Sequence, residues 1–157
     1  MTKDFQEMSA TADAGRKAAM ALLAQATADE MTRFWSVWTD KPEVETLRGP
    51  ETGLVMVRGR IGGSGAPFNL GEATVTRATV RLGSGAVGHA YALGRQGEKV
   101  RLAAVFDALW QDDAKRDVVE KTVLAPIAQR LDEELRTKRA ETAATKVDFF
   151  TMVRGED

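Results

Sequence analysis

The chain has 157 residues, 43% hydrophobic and 29% charged, with a formal net charge of −1 and no cysteine. That length suits one hydrophobic core and is short for two, and the apolar share is that of a folding chain, not a disordered one. The absence of thiols excludes a disulfide framework, thiolate zinc or iron–sulfur ligation and a cysteine nucleophile within these residues.

The near-neutral total hides an asymmetry: residues 51–101 hold seven Lys/Arg against three Glu, while the remainder holds fifteen against twenty. The middle is cationic and the flanks are acidic. Only Phe68 and Tyr91 are aromatic in that middle, so neither the basic clusters nor the stacking platforms of a nucleic-acid binder are present. The first residues carry acids and no apolar signal core, and no run approaches membrane-spanning length. A cytoplasmic protein without membrane contact is expected.

Residues 1–11 are polar and small and are expected to fray. Residues 13–26 turn to Ala, Leu, Met, Arg and Lys and predict a first helix with Met20, Leu23 and alanines on its apolar stripe. Thr27 and Glu30 have capping-box spacing and open a second helix. Its face carries Met31, Phe34, Trp35 and Trp38 at i, i+3, i+4 and i+7, and Pro42 stops it. A stripe at that spacing predicts core or subunit contact in preference to a ligand platform.

Residues 43–48 read as a short strand closed by Gly49 and Pro50. In 52–61, Val55, Val57 and Ile61 alternate against Leu54, Met56, Arg58 and Arg60, which gives a strand with one dry face and one increasingly cationic face. Gly62, Gly63, Gly65 and Pro67 form a turn; the Lys-Ser/Thr ending of a phosphate-binding P-loop is missing, so a flexible turn is expected over an anion nest. Residues 73–82 put Val75, Arg77, Thr79 and Arg81 on one face and Thr74, Thr76, Ala78, Val80 and Leu82 on the other. After Gly83-Ser84-Gly85, a third strand sets Val87, His89, Tyr91 and Leu93 against the small residues Ala86, Gly88, Ala90 and Ala92. That small face invites close approach by a helix or another chain.

Residues 98–111 predict a helix through Leu102, Val105, Phe106, Leu109 and Trp110. Another helical stretch carries Val118, Val119 and Val123 to Pro126, from which Ile127, Leu131 and Leu135 continue to about Ala144 on a thin stripe that suits a solvent-bridging or partner-crossing helix. The segment 146–157 then places Val147, Phe149, Phe150, Met152 and Val153 within seven positions. Phe149, Phe150, Met152 and Val153 are the expected partner-contacting residues. Together these elements predict one α+β domain over 1–157, an antiparallel sheet of three to four strands packed by N-terminal and C-terminal helices.

Reactive side chains are scarce. His89 is the one histidine, and the chain has no G-x-S-x-G elbow, HExxH, EF-hand loop or dinucleotide fingerprint, so no catalytic or metal-binding residue is assigned. Glu51 and Glu72 are available to pair with strand arginines, but three acids in the middle segment leave some unmatched. Arg58, Arg60, Arg77 and Arg81 are therefore the candidates for contact with phosphates or with an acidic partner surface.

ETGLV at 51–55, RIGGSG at 60–65, GEATVTRA at 71–78 with VRL at 80–82, and the ending VDFFTMVRG at 147–155 resemble the PhnG family, a subunit of the bacterial carbon–phosphorus lyase core complex. The resemblance spans most of the chain from residue 51 onward; before that only helical character matches. It implies a hetero-oligomer with PhnI, PhnH, PhnJ and PhnL. It also implies a transferase whose substrates are ATP and a phosphonate: methylphosphonate is joined to C1 of the ATP ribose, adenine leaves, and ribose 1-methylphosphonate 5-triphosphate results. In the family view the nucleosidase chemistry belongs to PhnI and the later radical cleavage, with its iron–sulfur cluster, to PhnJ, so this chain carries no cofactor. His89, Trp35 and Trp38 lie outside the matching residues and receive no family role. The rival expectation is a stand-alone protein that binds a small anion without catalysis.

Overall fold

A helix that is apolar around its whole circumference has to be covered around its whole circumference. Residues 102–110 have that character save for Asp107, and in the computed structural model, which describes residues 2–145 with side chains from Asp13 onward, they make up most of the central helix of the molecule. The elements in order are α1 (Thr2–Gln25), α2 (Ala28–Val37), β1 (Val44–Arg60), β2 (Pro67–Leu82), β3 (Val87–Leu93), α3 (Gly97–Trp110), α4 (Asp113–Val119), a π-helical turn (Glu120–Leu124) and α5 (Ala125–Ala144). The strands form one antiparallel sheet in the order β1-β2-β3. One face of this sheet packs on α3, whose other sides meet α1, α2 and α4.

The sheet can approach α3 closely because its inner face is built of small residues. Ala78, Ala90 and Ala92 are buried there, and a Cβ at Gly88 would run into the Ala104 carbonyl oxygen and lie 2.7 Å from the Ala108 nitrogen. Val80 and Leu82 complete this layer, with Val100, Val105 and Phe106 behind it. Trp35 and Trp38 meet the Phe106 ring edge-on, with centroids 6.1 and 5.6 Å apart. The aromatic stripe of α2 is therefore core, and Thr27 and Glu30 form the reciprocal capping box that their spacing predicts.

Three boundaries differ from expectation. α1 begins at Thr2, not Asp13, since nothing between those residues breaks a helix. The two strands expected on either side of Gly49-Pro50 are one, β1, with register irregularities between Thr46 and Arg48 and between Arg48 and Glu51. β1 is an edge strand, where proline's missing N–H need not break a ladder. A π-helical turn joins α4 to α5 ahead of Pro126, whose ring would crowd the carbonyl four residues back in a regular helix.

The sheet outruns its helical cover. α3 starts at Gly97, and the Thr76 hydroxyl, fully buried, marks the border: it donates to the Gly94 carbonyl oxygen (2.6 Å), accepts from the Gln96 N–H (3.1 Å) and meets the Thr52 hydroxyl (3.0 Å). β3 ends at Leu93, opposite Val75. Past that point β1 and β2 continue without β3, residues 54–60 against 67–74, to a tip at Ile61–Gly63. We call this two-stranded extension the arm and the rest the body. No described helix is long and apolar enough to cross a membrane.

Candidate functional site

The alternation of side chains across the sheet decides where the four arginines go. Thr76, Ala78, Val80 and Leu82 face the helices, so Arg77 and Arg81 project from the opposite, uncovered face, together with His89 and Tyr91 of β3. On β1 the register pairs Leu54 with Thr74 and Arg58 with Asn69, which sets Arg58 and Arg60 on the helix-side face, out on the arm where no described helix reaches. From Glu51, opposite Arg77, to Arg58 is seven residues of strand, about 23 Å. The four guanidinium groups do not form one site.

They also differ in what surrounds them. Arg77 donates through Nε and Nη2 to Glu51 Oε2 (3.2 and 3.1 Å), which also faces Arg48 at 3.3 Å, and Arg81 Nη1 donates to Glu45 Oε2 (3.3 Å). The Tyr91 hydroxyl and Glu51 together hold the Arg77 charge, raising its pKa above the ordinary arginine value. Arg60 Nη1 donates to the Gly65 carbonyl oxygen (3.0 Å), across the tip turn in which Gly62 and Gly63 take left-handed φ of 60° and 79°. Neither Arg58 nor Arg60 has a carboxylate within ion-pair distance among the described residues.

His89 is fixed through its backbone. Its N–H donates to Asp107 Oδ2 (2.8 Å), and its ring Nδ1 meets the Thr79 hydroxyl at 3.1 Å. Asp107, fully buried on α3, also accepts from Arg16 Nε (3.0 Å) and Nη2 (2.8 Å); that bond, partly opposed by the burial of the guanidinium, raises the Arg16 pKa. The pair ties α1, α3 and β3 together. A cleft of about 540 Å³ lies between α1 and β3, lined by Arg16, Lys17, Met20, Ala24, His89 and Tyr91 among others. It is mostly apolar and places no carboxylate against the histidine ring. A smaller cleft of about 250 Å³ is lined by Phe34, Val37, Trp38 and Val118, with the Lys115–Asp40 ion pair at its side.

Asp107, Arg16 and the interlock of Glu30 with Arg130 are absent from the sequence reading. The signal for the first was there: one acid inside AAVFDALW needs a cation once that helix is buried. Glu30 accepts from Arg130 Nε (2.7 Å) and Nη2 (3.1 Å) and from the Thr27 N–H (2.7 Å). Burial alone would raise its pKa, but these donors outweigh it and hold the carboxylate below its ordinary value. Nearby, burial lowers the Lys99 pKa while its ammonium donates to the Ala24 carbonyl oxygen (2.9 Å). Among the described residues no three His, Asp or Glu side chains are grouped to hold a metal ion. The tail candidates Phe149, Phe150, Met152 and Val153 lie outside the described residues.

Among the described residues the body groups no side chains for metal binding, and it carries an open sheet face and a projecting arm. The family model of the phosphonate metabolism protein PhnG matches residues 14–155. The chain belongs to the PhnG family. The match takes in the body, the arm and the tail, and extends the similarity into the first fifty residues, where the sequence motifs are silent. Over 148 residues the chain is also 61% identical to the alpha-D-ribose 1-methylphosphonate 5-triphosphate synthase subunit PhnG of Rhizobium meliloti (strain 1021), covering 92% of this chain and 94% of that protein.

Proposed function

We propose that this member of the PhnG family is a subunit of an alpha-D-ribose 1-methylphosphonate 5-triphosphate synthase. The observation that carries this is the 61% identity to the Rhizobium meliloti subunit over nearly the whole of both chains. In the proposed complex, which works in the cytoplasm with PhnI, PhnH, PhnJ and PhnL, a phosphonate oxygen forms the new bond to C1 of the ATP ribose and adenine departs with the glycosidic electron pair. This chain contributes surface, not a nucleophile or base. Arg77 and Arg81, each beside a carboxylate of the chain itself, are weak anion ligands; Arg58 and Arg60 remain the candidates for contact with an acidic surface or a phosphate. Phe149, Phe150, Met152 and Val153 are proposed to be covered in the assembled complex.

The test is reconstitution. The chain is co-expressed with the other subunits, and adenine release from ATP is followed with methylphosphonate present. Release is expected from the assembled set and neither from this chain alone nor from the set lacking it. Removal of residues 146–157 is expected to abolish co-purification. Adenine release by the isolated chain, or undiminished release without it, overturns the reading; strong heat on titrating the isolated chain with nucleotide or phosphonate favours a stand-alone anion binder instead.

A further inference from the structure

We propose that the arm, residues 54–74, is inserted into another chain of the synthase, in a groove with apolar walls on both sides and carboxylates at its far end. This rests on the subunit reading given above and adds what the partner surface must look like.

The arm is apolar on both faces. Val55 and Val57 lie on the uncovered face with Phe68 and Leu70, whose side chains cross Gly59 and would sit 3.7–3.8 Å from a Cβ there. Leu54 and Met56 lie on the other face, and Ile61 projects from the tip. These seven side chains are 38–76% exposed. Over the two faces and the tip together they present roughly 700 Å² of apolar surface, close to one side of a standard interface. A two-stranded ribbon is marginal in water even without such a load. Covering one face against a flat partner would leave Leu54 and Met56, or Phe68 and Leu70, in solvent. A groove covers both.

The far end is defined by charge. Arg48, Arg77 and Arg81, on the body, each have a carboxylate of this chain within 3.3 Å, whereas Arg58 and Arg60 have none among the described residues. Glu72, the one acid of the arm, stands opposite Met56. Burying a guanidinium without a counter-charge is costly, so a groove that takes the tip must bring carboxylates to it. A second copy of this chain is a poor host, since its α1–β3 cleft sets a single carboxylate, Asp13, beside Arg16 and Lys17 and so offers no carboxylate end for two guanidinium groups.

The test replaces residues 57–71 by Asn-Gly, which closes the Met56–Glu72 pair with a two-residue turn and leaves the body untouched. The variant and the parent chain are each tagged and co-expressed with the other subunits. The shortened chain is expected to melt cooperatively, as the parent does, but to retain at least tenfold less of the other subunits. Full retention overturns the inference and leaves the subunit reading standing; a parent chain that retains nothing overturns the subunit reading itself. If the shortened chain does not melt cooperatively, Val57→Ser with Leu70→Ser, at exposed positions, carries the same expectation. Arg58→Glu with Arg60→Glu is expected to lose retention, more so at low salt. Should Arg58→Ala with Arg60→Ala instead assemble fully and raise only the KM for ATP, the tip meets phosphate and the carboxylate end is wrong. Loss of self-association in the shortened chain, with partner retention intact, would make the host a second copy and overturn the proposal.

Discussion

Arg16–Asp107 and Arg77–Glu51 are both two-pronged pairs of a guanidinium with a carboxylate, yet they belong to different regimes. Asp107 is fully enclosed by the body and also takes the His89 N–H, while Glu51 and Arg77 stand half exposed on the uncovered sheet face. Loss of one partner leaves an uncompensated charge or N–H inside in the first case and a solvated group in the second. Asp107→Ala is accordingly expected to lower stability by about 3–5 kcal/mol. Glu51→Ala should cost less than about 1 kcal/mol. Urea denaturation of the two variants measures the contrast directly, and comparable losses would break it.

Backbone contacts separate the covered body from the arm in a similar way. Gly88 meets α3 with no room for a Cβ, whereas Gly53 and Gly71, toward and on the arm, have nothing within 4 Å of theirs. Gly88→Val has to push α3 off the sheet and is expected to destabilise by about 3 kcal/mol, at the upper end of ordinary overpacking, read as a lowered thermal midpoint. A midpoint unchanged from the parent would mean that the sheet and α3 are not packed as closely as the small-residue face requires.

That close packing was legible from sequence because Gly88, Ala90 and Ala92 alternate with larger residues at the strand period, a pattern that only a close neighbour explains. The capping box at Thr27 and the aromatic stripe of α2 were legible for the same reason: spacing along the chain fixes them. The arm was not. Alternation in 52–61 and 73–82 gives strands and faces, but where the helical cover stops depends on α3 starting at Gly97, a relation between residues far apart in sequence. Glu51 could be named as an available partner for the strand arginines, but its pairing with Arg77, like that of Glu45 with Arg81, needs the register of β1 on β2. Composition could count too few acids for the arginines, but only the fold shows which arginines go without.

Between the two regimes lies Glu30, at the body's margin. Its native pKa is depressed, so its contribution is present above the ordinary glutamate value, about 4.3, and is lost as the pH falls through the lower native value. Glu30→Gln keeps the shape and removes the charge that Arg130 and the Thr27 N–H engage. It is expected to cost about 2 kcal/mol at neutral pH. The gap between the parent and the variant should close on acidification below pH 4 in thermal melts followed at stepped pH. A gap that persists in acid would mean that the packing of α2, not the carboxylate charge, holds this corner.

The smallest expected change is the one that isolates the arm. Gly71 lies opposite Val57 with open space where its Cβ would be and an ordinary strand conformation, since its φ is not positive. Alanine there reduces the freedom of the unfolded chain without a clash, so Gly71→Ala should leave the isolated protein unchanged or raise its stability by about 0.5 kcal/mol. The same methyl group points from the uncovered face into whatever clasps the arm. Once the arm is buried at interior density, a further carbon has no space, and the variant is expected to be retained less well by the other subunits while melting as well as the parent. Stability and assembly moving in opposite directions from a single added carbon is the signature of a surface shaped for another chain; a variant that gains in both would show that this face of the arm stays in water.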